Sequence, residues 1–180
     1  MAPSGGTRRC FFVQAGALFF GGVAALVPAA VGVIAFLNPL RQKGQAGGFI
    51  KAGPLAAVPE DGTPRRFALI ADRIDAWNRF ANEPIGAVYL RRLPAGQLQA
   101  LQAICPHAGC SINYEGAAQG GKFFCPCHGA SFDLAGQRTD STSPSPRDMD
   151  ALEVEIRNGG EVWVKFQNFR TGTSKKVAQA

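Results

Sequence analysis

Residues 152–166 read LEVEIRNGGEVWVKF. Leu152, Val154 and Ile156 alternate with charged residues, Asn158-Gly159-Gly160 supplies a turn, and Val162, Val164 and Phe166 alternate again. A period of two on either side of an Asn-Gly step predicts a β-hairpin with one face turned to a core. Working outward, the same short apolar character returns at Phe67–Ala71, Ala87–Arg92, Leu98–Ile104 and Lys122–Phe124. With 22 Gly and 12 Pro in 180 residues, a helical bundle is excluded and an all-β head is expected. Asp72–Asn82 fits a short helix or a loop equally well, and the chain has no internal repeat.

The N-terminal part is of another kind. Residues 10–40 read CFFVQAGALFFGGVAALVPAAVGVIAFLNPL, 31 positions without a charge, whereas all 13 acids lie at or beyond Glu60. A spanning helix needs about 20 such residues, and the apolar core of a cleavable signal runs to only about 7–15. A retained transmembrane anchor over 10–40 is therefore expected, with Pro28 a point for a kink. Where the expected cytoplasmic N-terminus, residues 1–9, meets it stands Thr7-Arg8-Arg9-Cys10-Phe11-Phe12. This resembles the twin-arginine export signal, whose pathway carries proteins already folded around cofactors. Cys10 precedes the apolar run, which excludes a lipoprotein cysteine and leaves a small apolar residue at the interface.

Residues 41–57, RQKGQAGGFIKAGPLAA, have the composition of a flexible tether, and residues 171–180 that of a frayed polar tail. The formal net charge is +6, but Arg65–Arg66, Arg91–Arg92 and Lys175–Lys176 are scattered pairs. No basic stripe interleaves with aromatics, so a nucleic-acid face is set aside. Hydrophobic residues at 46% exclude disorder.

The chemistry concentrates in two boxes. Both histidines and four of the five cysteines lie in Cys105-Pro106-His107-Ala108-Gly109-Cys110 and Cys125-Pro126-Cys127-His128-Gly129. Thiolate and imidazole are ligands for zinc or for iron–sulfur chemistry. Zinc modules draw paired cysteines from one element and paired histidines or cysteines from another, which is not the arrangement here. Spacing by itself does not tell which thiols bind metal.

The pattern C-x-H-x2-C … C-x-C-H-G resembles the Rieske family, in which two cysteines bind one iron of a 2Fe-2S cluster and two histidines the other. The resemblance implies Cys105, His107, Cys125 and His128 as cluster ligands, and a disulfide between Cys110 and Cys127. It implies an all-β, Rieske-type antiparallel β sandwich over 58–170, with a small cluster-binding subdomain built on loops 105–110 and 125–133, preceded by one N-terminal transmembrane helix. Ser143-Pro144-Ser145-Pro146 occupies the place of the family's Pro loop. A lasting disulfide points to an oxidising compartment. The expected location is the bacterial inner membrane, with the head on the periplasmic or outer side.

By the same resemblance the chain is expected to be the redox subunit of a respiratory quinol:cytochrome c oxidoreductase. Its expected partners are a cytochrome b subunit and a c-type cytochrome in a dimeric membrane complex, with His128 meeting the quinol and the head swinging on its tether. Two departures bear on potential. Respiratory members of high potential carry Ser and Tyr in the second box where this chain has Ala130 and Phe132. Fewer donors imply a lower potential, matched to menaquinol or a similar quinol. Ser131 is one position off and leaves compensation open. Two other readings stand beside this one: the small Rieske subunit of a periplasmic molybdenum enzyme such as arsenite oxidase, and a structural zinc module on a membrane anchor.

Overall fold

The computed structural model describes residues 8–38, 48–74, 78–116, 118 and 120–179. The 152–166 stretch folds as a hairpin from β9 (Val154–Arg157) to β10 (Glu161–Lys165), with Val162 opposite Ile156 and Val164 opposite Val154. Asn158 and Gly159 turn the chain at φ 49° and 72°, the left-handed region that Asn and Gly tolerate best. The alternation does not run unbroken to Leu152. That residue belongs to the short β8 (Ala151–Leu152) and pairs with Ala100 in a different sheet, so the chain changes sheets at Glu153. Ile156, expected on the core face, is half exposed because β9 is the edge strand of its sheet.

β1 (Phe49–Pro54) completes this sheet in the order β1-β10-β9. The flexible tether expected over 41–57 is thereby corrected from residue 49 onward. Phe49, Ile50 and Lys51 pair in register with Lys165, Val164 and Trp163, and a single turn of 3-10 helix follows at Leu55–Ala57. Ile50 and Ala52 pack against the core, and that burial outweighs the Gly-rich composition. Residues 41–47 of the expected tether, like residues 1–7, lie outside the described residues.

The second sheet is β2 (Arg65–Ile74), β3 (Arg79–Arg92), β4 (Leu98–Gln102) and β8, antiparallel in that order. β2 and β3 are long enough to absorb most of the undecided 72–82 stretch. Its outer end is held by polar contacts: Asp72 accepts from the Arg79 guanidinium and the Asn82 backbone N–H, and the Arg73 guanidinium lies 4.3 Å from the Phe80 ring centroid.

Ala87-Val88-Tyr89-Leu90 of β3 are all buried, because both faces of this sheet are covered. Val88 and Leu90, with Leu69, Ala100 and Val58, pack on Val162, Val164 and Phe166 of the first sheet. At Gly86 a Cβ would fall on the Phe166 ring, so only glycine lets the two layers close there. Ala87, Tyr89 and Leu101 face the opposite way, into a second core with Ala103, Ile112, Phe123, Phe132 and Met149. That core supports a third sheet of β5 (Asn113–Glu115), β6 (Lys122–Cys125) and β7 (Ala130–Phe132). Phe123 and Phe132 are 1% and 0% exposed, each contributing about 1.5–3 kcal/mol of burial that ties this subdomain to the sandwich.

The N-terminal unit is α1 (Arg8–Leu37), with Pro28 inside it. Its stretch Cys10–Leu37 is long and apolar enough to cross a membrane. Phe11, Phe12, Leu18, Phe19 and Phe20 on it are all exposed.

The frayed tail expected over 171–180 is also corrected. Phe169 bridges Ala178, Arg170 N–H donates to Val177 O at 2.8 Å, and Gln179 N–H donates to Asn168 O at 2.8 Å. The segment doubles back as an irregular hairpin through Thr171–Lys176, polar in composition yet anchored by its backbone.

Candidate metal centre

Two loops stand at the edge of the second core, and their backbones are alike. In the first, Ile104 bridges Ser111, Cys105 N–H donates to Cys110 O at 2.7 Å, and Gly109 N–H donates to Cys105 O at 3.0 Å. The second joins β6 to β7: Cys125 pairs with Ala130, and Gly129 N–H donates to Cys125 O at 3.0 Å. Each loop opens on a Cys-Pro step and closes four residues later on a glycine in the left-handed region, φ 82° at Gly109 and 78° at Gly129.

Depth sorts the donors by chemistry. Cys105 and Cys125 are 1% and 2% exposed, members of the apolar core that holds Ala103, Ile112 and Ala130. His107 is half-buried and His128 exposed. Their rings meet edge to face, centroids 4.6 Å apart at 79°. Thiols lie inside and imidazoles outside, one of each from either loop.

Cys110 and Cys127 are joined by a disulfide, Cα–Cα 6.5 Å, that links the loops across 17 positions of sequence. The sulfurs of Cys110, Cys125 and Cys127 all lie within 4.8 Å of one another, but two of the three are spent on that bond and offer no thiolate. Among the described residues of the head, the cysteines outside that disulfide are therefore Cys105 and Cys125. Burial, and the Cys125 thiol beside it, push the Cys105 thiol up to about 11. Such a thiol stays protonated in neutral water and gives up its proton to a metal. Two buried thiols facing two outer imidazoles are the donor set of a 2Fe-2S cluster in which histidines replace the cysteines of one iron. The residues present fit that group.

Around the loops, Tyr89 donates its hydroxyl to Ile112 O at 3.0 Å beneath the first loop, and its ring lies 4.8 Å from that of Phe123. In the 143–146 stretch Ser145 is fully buried and donates to Arg147 O at 2.7 Å. Two features escape sequence reasoning. One is the buried pair Arg147–Asp150. The other is the contact of the C-terminal segment with the first loop, where Gly172 N–H donates to Pro106 O at 2.8 Å. Their only signals were Arg147 and Asp150 at spacing three, and a glycine inside the polar Thr171–Thr173 stretch.

Comparison with known proteins gives the family. Residues 51–156 match the family model of the Rieske [2Fe-2S] domain. The chain is 29% identical over 155 residues to the cytochrome b6-f complex iron-sulfur subunit of Chlorobaculum thiosulfatiphilum, covering 84% of this chain and 76% of that one. It is 30% identical over 97 residues to the menaquinol:cytochrome c reductase iron-sulfur subunit of Bacillus subtilis, covering 53% and 56%. Among solved structures, the plasma membrane Rieske protein of the cyanobacterium Synechocystis matches at 27% identity and a TM-score of 0.44, covering 65% of this chain and 99% of that one. The zinc-module reading is overturned by the family match, which spans more than half of the residues and both loops. This chain belongs to the Rieske [2Fe-2S] domain family.

Proposed function

We propose that the chain is the membrane-anchored electron-transfer subunit of a quinol:cytochrome c oxidoreductase. Cys105 and Cys125 would hold the inner iron of the cluster, and His107 and His128 the outer one. When bound, such a cluster supplies one-electron oxidation at a potential raised by its two imidazole ligands. The observation that carries the reading is the exposure of His128 at the tip of the second loop, while both thiols are buried behind it.

His128 offers the outer ring edge to a quinol hydroxyl, and an imidazole there can take the proton that leaves with the electron. Buried Cys105 and Cys125 keep the inner side dry. The Cys110–Cys127 link holds the two loops in mutual register. α1 serves as a single-pass anchor in the bacterial inner membrane, the head lying on its outer side, where a disulfide persists. A cytochrome b subunit and a c-type cytochrome are the partners that this reading requires, in a dimeric complex. The named relatives belong to b6-f and menaquinol:cytochrome c complexes, which favours this reading over the molybdenum-enzyme alternative.

The test is a potentiometric titration of the full chain in detergent followed by EPR. A rhombic signal of the histidine-ligated 2Fe-2S type, together with quinol oxidation that His128→Leu abolishes in the assembled complex, is the expected result. A molybdenum partner on co-purification, or normal quinol oxidation by His128→Leu, would overturn it.

A further inference from the structure

The two loops are alike in backbone and unlike in cover. Pro106 is among the most deeply buried residues of the head, whereas Pro126, at the same place in the second loop, is exposed. His107 is half-buried and His128 exposed. What lies over the first loop is the chain's own C-terminus. Gly172 N–H donates to Pro106 O at 2.8 Å. A Cβ on Gly172 would sit 3.6 Å from His107 O, and one on Gly109 would sit 3.7 Å from Thr171 Cγ2.

Three further contacts fix the segment. Arg147 Nη1 donates to Thr173 O at 2.6 Å and to Thr173 Oγ1 at 3.3 Å, and Arg147 is itself locked by Asp150. Gln102 Nε2, buried in β4, donates to Gln167 O at 3.3 Å and to Asn168 Oδ1 at 3.0 Å where the segment leaves the sandwich. Lys176 Nζ reaches Ala151 O, and its ammonium lies 4.5 Å from the Phe169 ring centroid. Backbone, a buried cation and a buried amide together hold a stretch whose own side chains are mostly polar.

We infer that residues 168–179 form a strap that clamps the first loop and closes its side of the centre, leaving the second loop as the open face toward partners. Gly172 and Thr173 are positioning residues: they act through Pro106 and Arg147, not on a partner. Gly172 holds φ 70° with its N–H aimed at the loop, a conformation that other residues adopt only with strain. The strap acts on the centre proposed above, and its role there rests on that reading. Its grip on the loop is measurable whether or not a cluster is bound.

The experiment is hydrogen exchange, read by mass spectrometry on peptides covering 103–112 and 123–132, in the full chain, in a chain ending at Asn168, and in Thr173→Val. EPR of the reduced protein is recorded alongside. Without the strap, the amides of 105–110 are expected to exchange about tenfold faster, the factor that loss of one ordinary hydrogen bond permits, while those of 125–130 hold their rate. Thr173→Val is expected to shift the same loop in the same direction by a smaller factor, and it decides the matter if the shortened chain does not fold. Equal acceleration in both loops, or none in the first, would overturn the strap. A full chain without the 2Fe-2S EPR signal would instead overturn the proposed centre, and the exchange contrast would still report on the strap.

Discussion

Arg147 and Asp150 form a two-pronged ion pair beneath the C-terminal segment, Nε to Oδ1 at 2.9 Å and Nη2 to Oδ2 at 2.8 Å, with side chains 9% and 4% exposed. A buried pair of this kind contributes little net stability over an apolar pair of the same volume, but half of one is costly. Asp150→Asn is therefore expected to destabilise the head by about 3–5 kcal/mol, since it leaves a guanidinium charge uncompensated in the interior. Replacing both partners, Arg147→Met with Asp150→Leu, should recover much of that loss. Denaturant unfolding of the three proteins checks this, and a double variant no better than Asp150→Asn would refute the account.

The disulfide acts on a different state. Joining Cys110 to Cys127 closes 17 positions of chain, and a loop of that order restricts the unfolded ensemble by about 3 kcal/mol. Cys110→Ser is expected to lower the unfolding free energy by about that amount. It should also speed loss of iron to a chelator, because the two loops share no other covalent tie. Iron release at the wild-type rate would show that the apolar core alone keeps the loops together.

Acid should loosen β1 before it loosens the sandwich. Glu161 lies between the Lys51 ammonium, Asn158 Nδ2 at 2.8 Å and Trp163 Nε1 at 3.3 Å. Lys51 foremost, then Asn158 and Trp163, holds its carboxyl down to about 2, against an ordinary 4.5. A depressed carboxyl stabilises the fold above its unfolded value, and that contribution is lost as pH falls from about 4.5 toward 2. Glu161→Gln should thus have a lower Tm than the parent at pH 7, with the gap closing across that window. A gap that stays constant through the window would remove the ion pair from the explanation.

The sequence carried the pattern-driven parts of the fold and missed those held by contacts remote in the chain. Alternation around Asn158–Gly159 located the β9–β10 hairpin, and 31 uncharged positions located α1, because a period of two and a long apolar run are local properties. Phe49–Pro54 reads as part of a linker since it sits within the Gly- and small-residue-rich 41–57 stretch, yet β10 offered an open edge for it to pair with. The C-terminal segment reads as solvent-exposed since its anchors, Pro106, Arg147 and Gln102, lie 26 to 66 positions earlier and leave no periodic trace. Both boxes were legible as metal-binding from composition. That the thiols are buried and the imidazoles outer is a matter of three-dimensional depth.

The same depth settles how the second loop can be tuned. On β7, Ala130 and Phe132 point into the core that contains Cys105 and Cys125, both at 0% exposure, and Ser131 between them faces the other way. Alternation along a strand therefore denies Ser131 the position from which a hydroxyl would reach the sulfur-lined side. No residue at 130–132 supplies an O–H toward the thiols, and a reduced, more negative centre has less to stabilise it. Ala130→Ser and Phe132→Tyr should each raise the midpoint potential by on the order of 60 mV, the shift that a tenfold preference for the reduced state gives in a one-electron couple. Ser131→Ala should leave it unchanged. Redox titration with EPR detection checks all three. An unmoved midpoint in Ala130→Ser and Phe132→Tyr would place the donors in the backbone amides of the two loops, and a fall in Ser131→Ala would make Ser131 itself a donor.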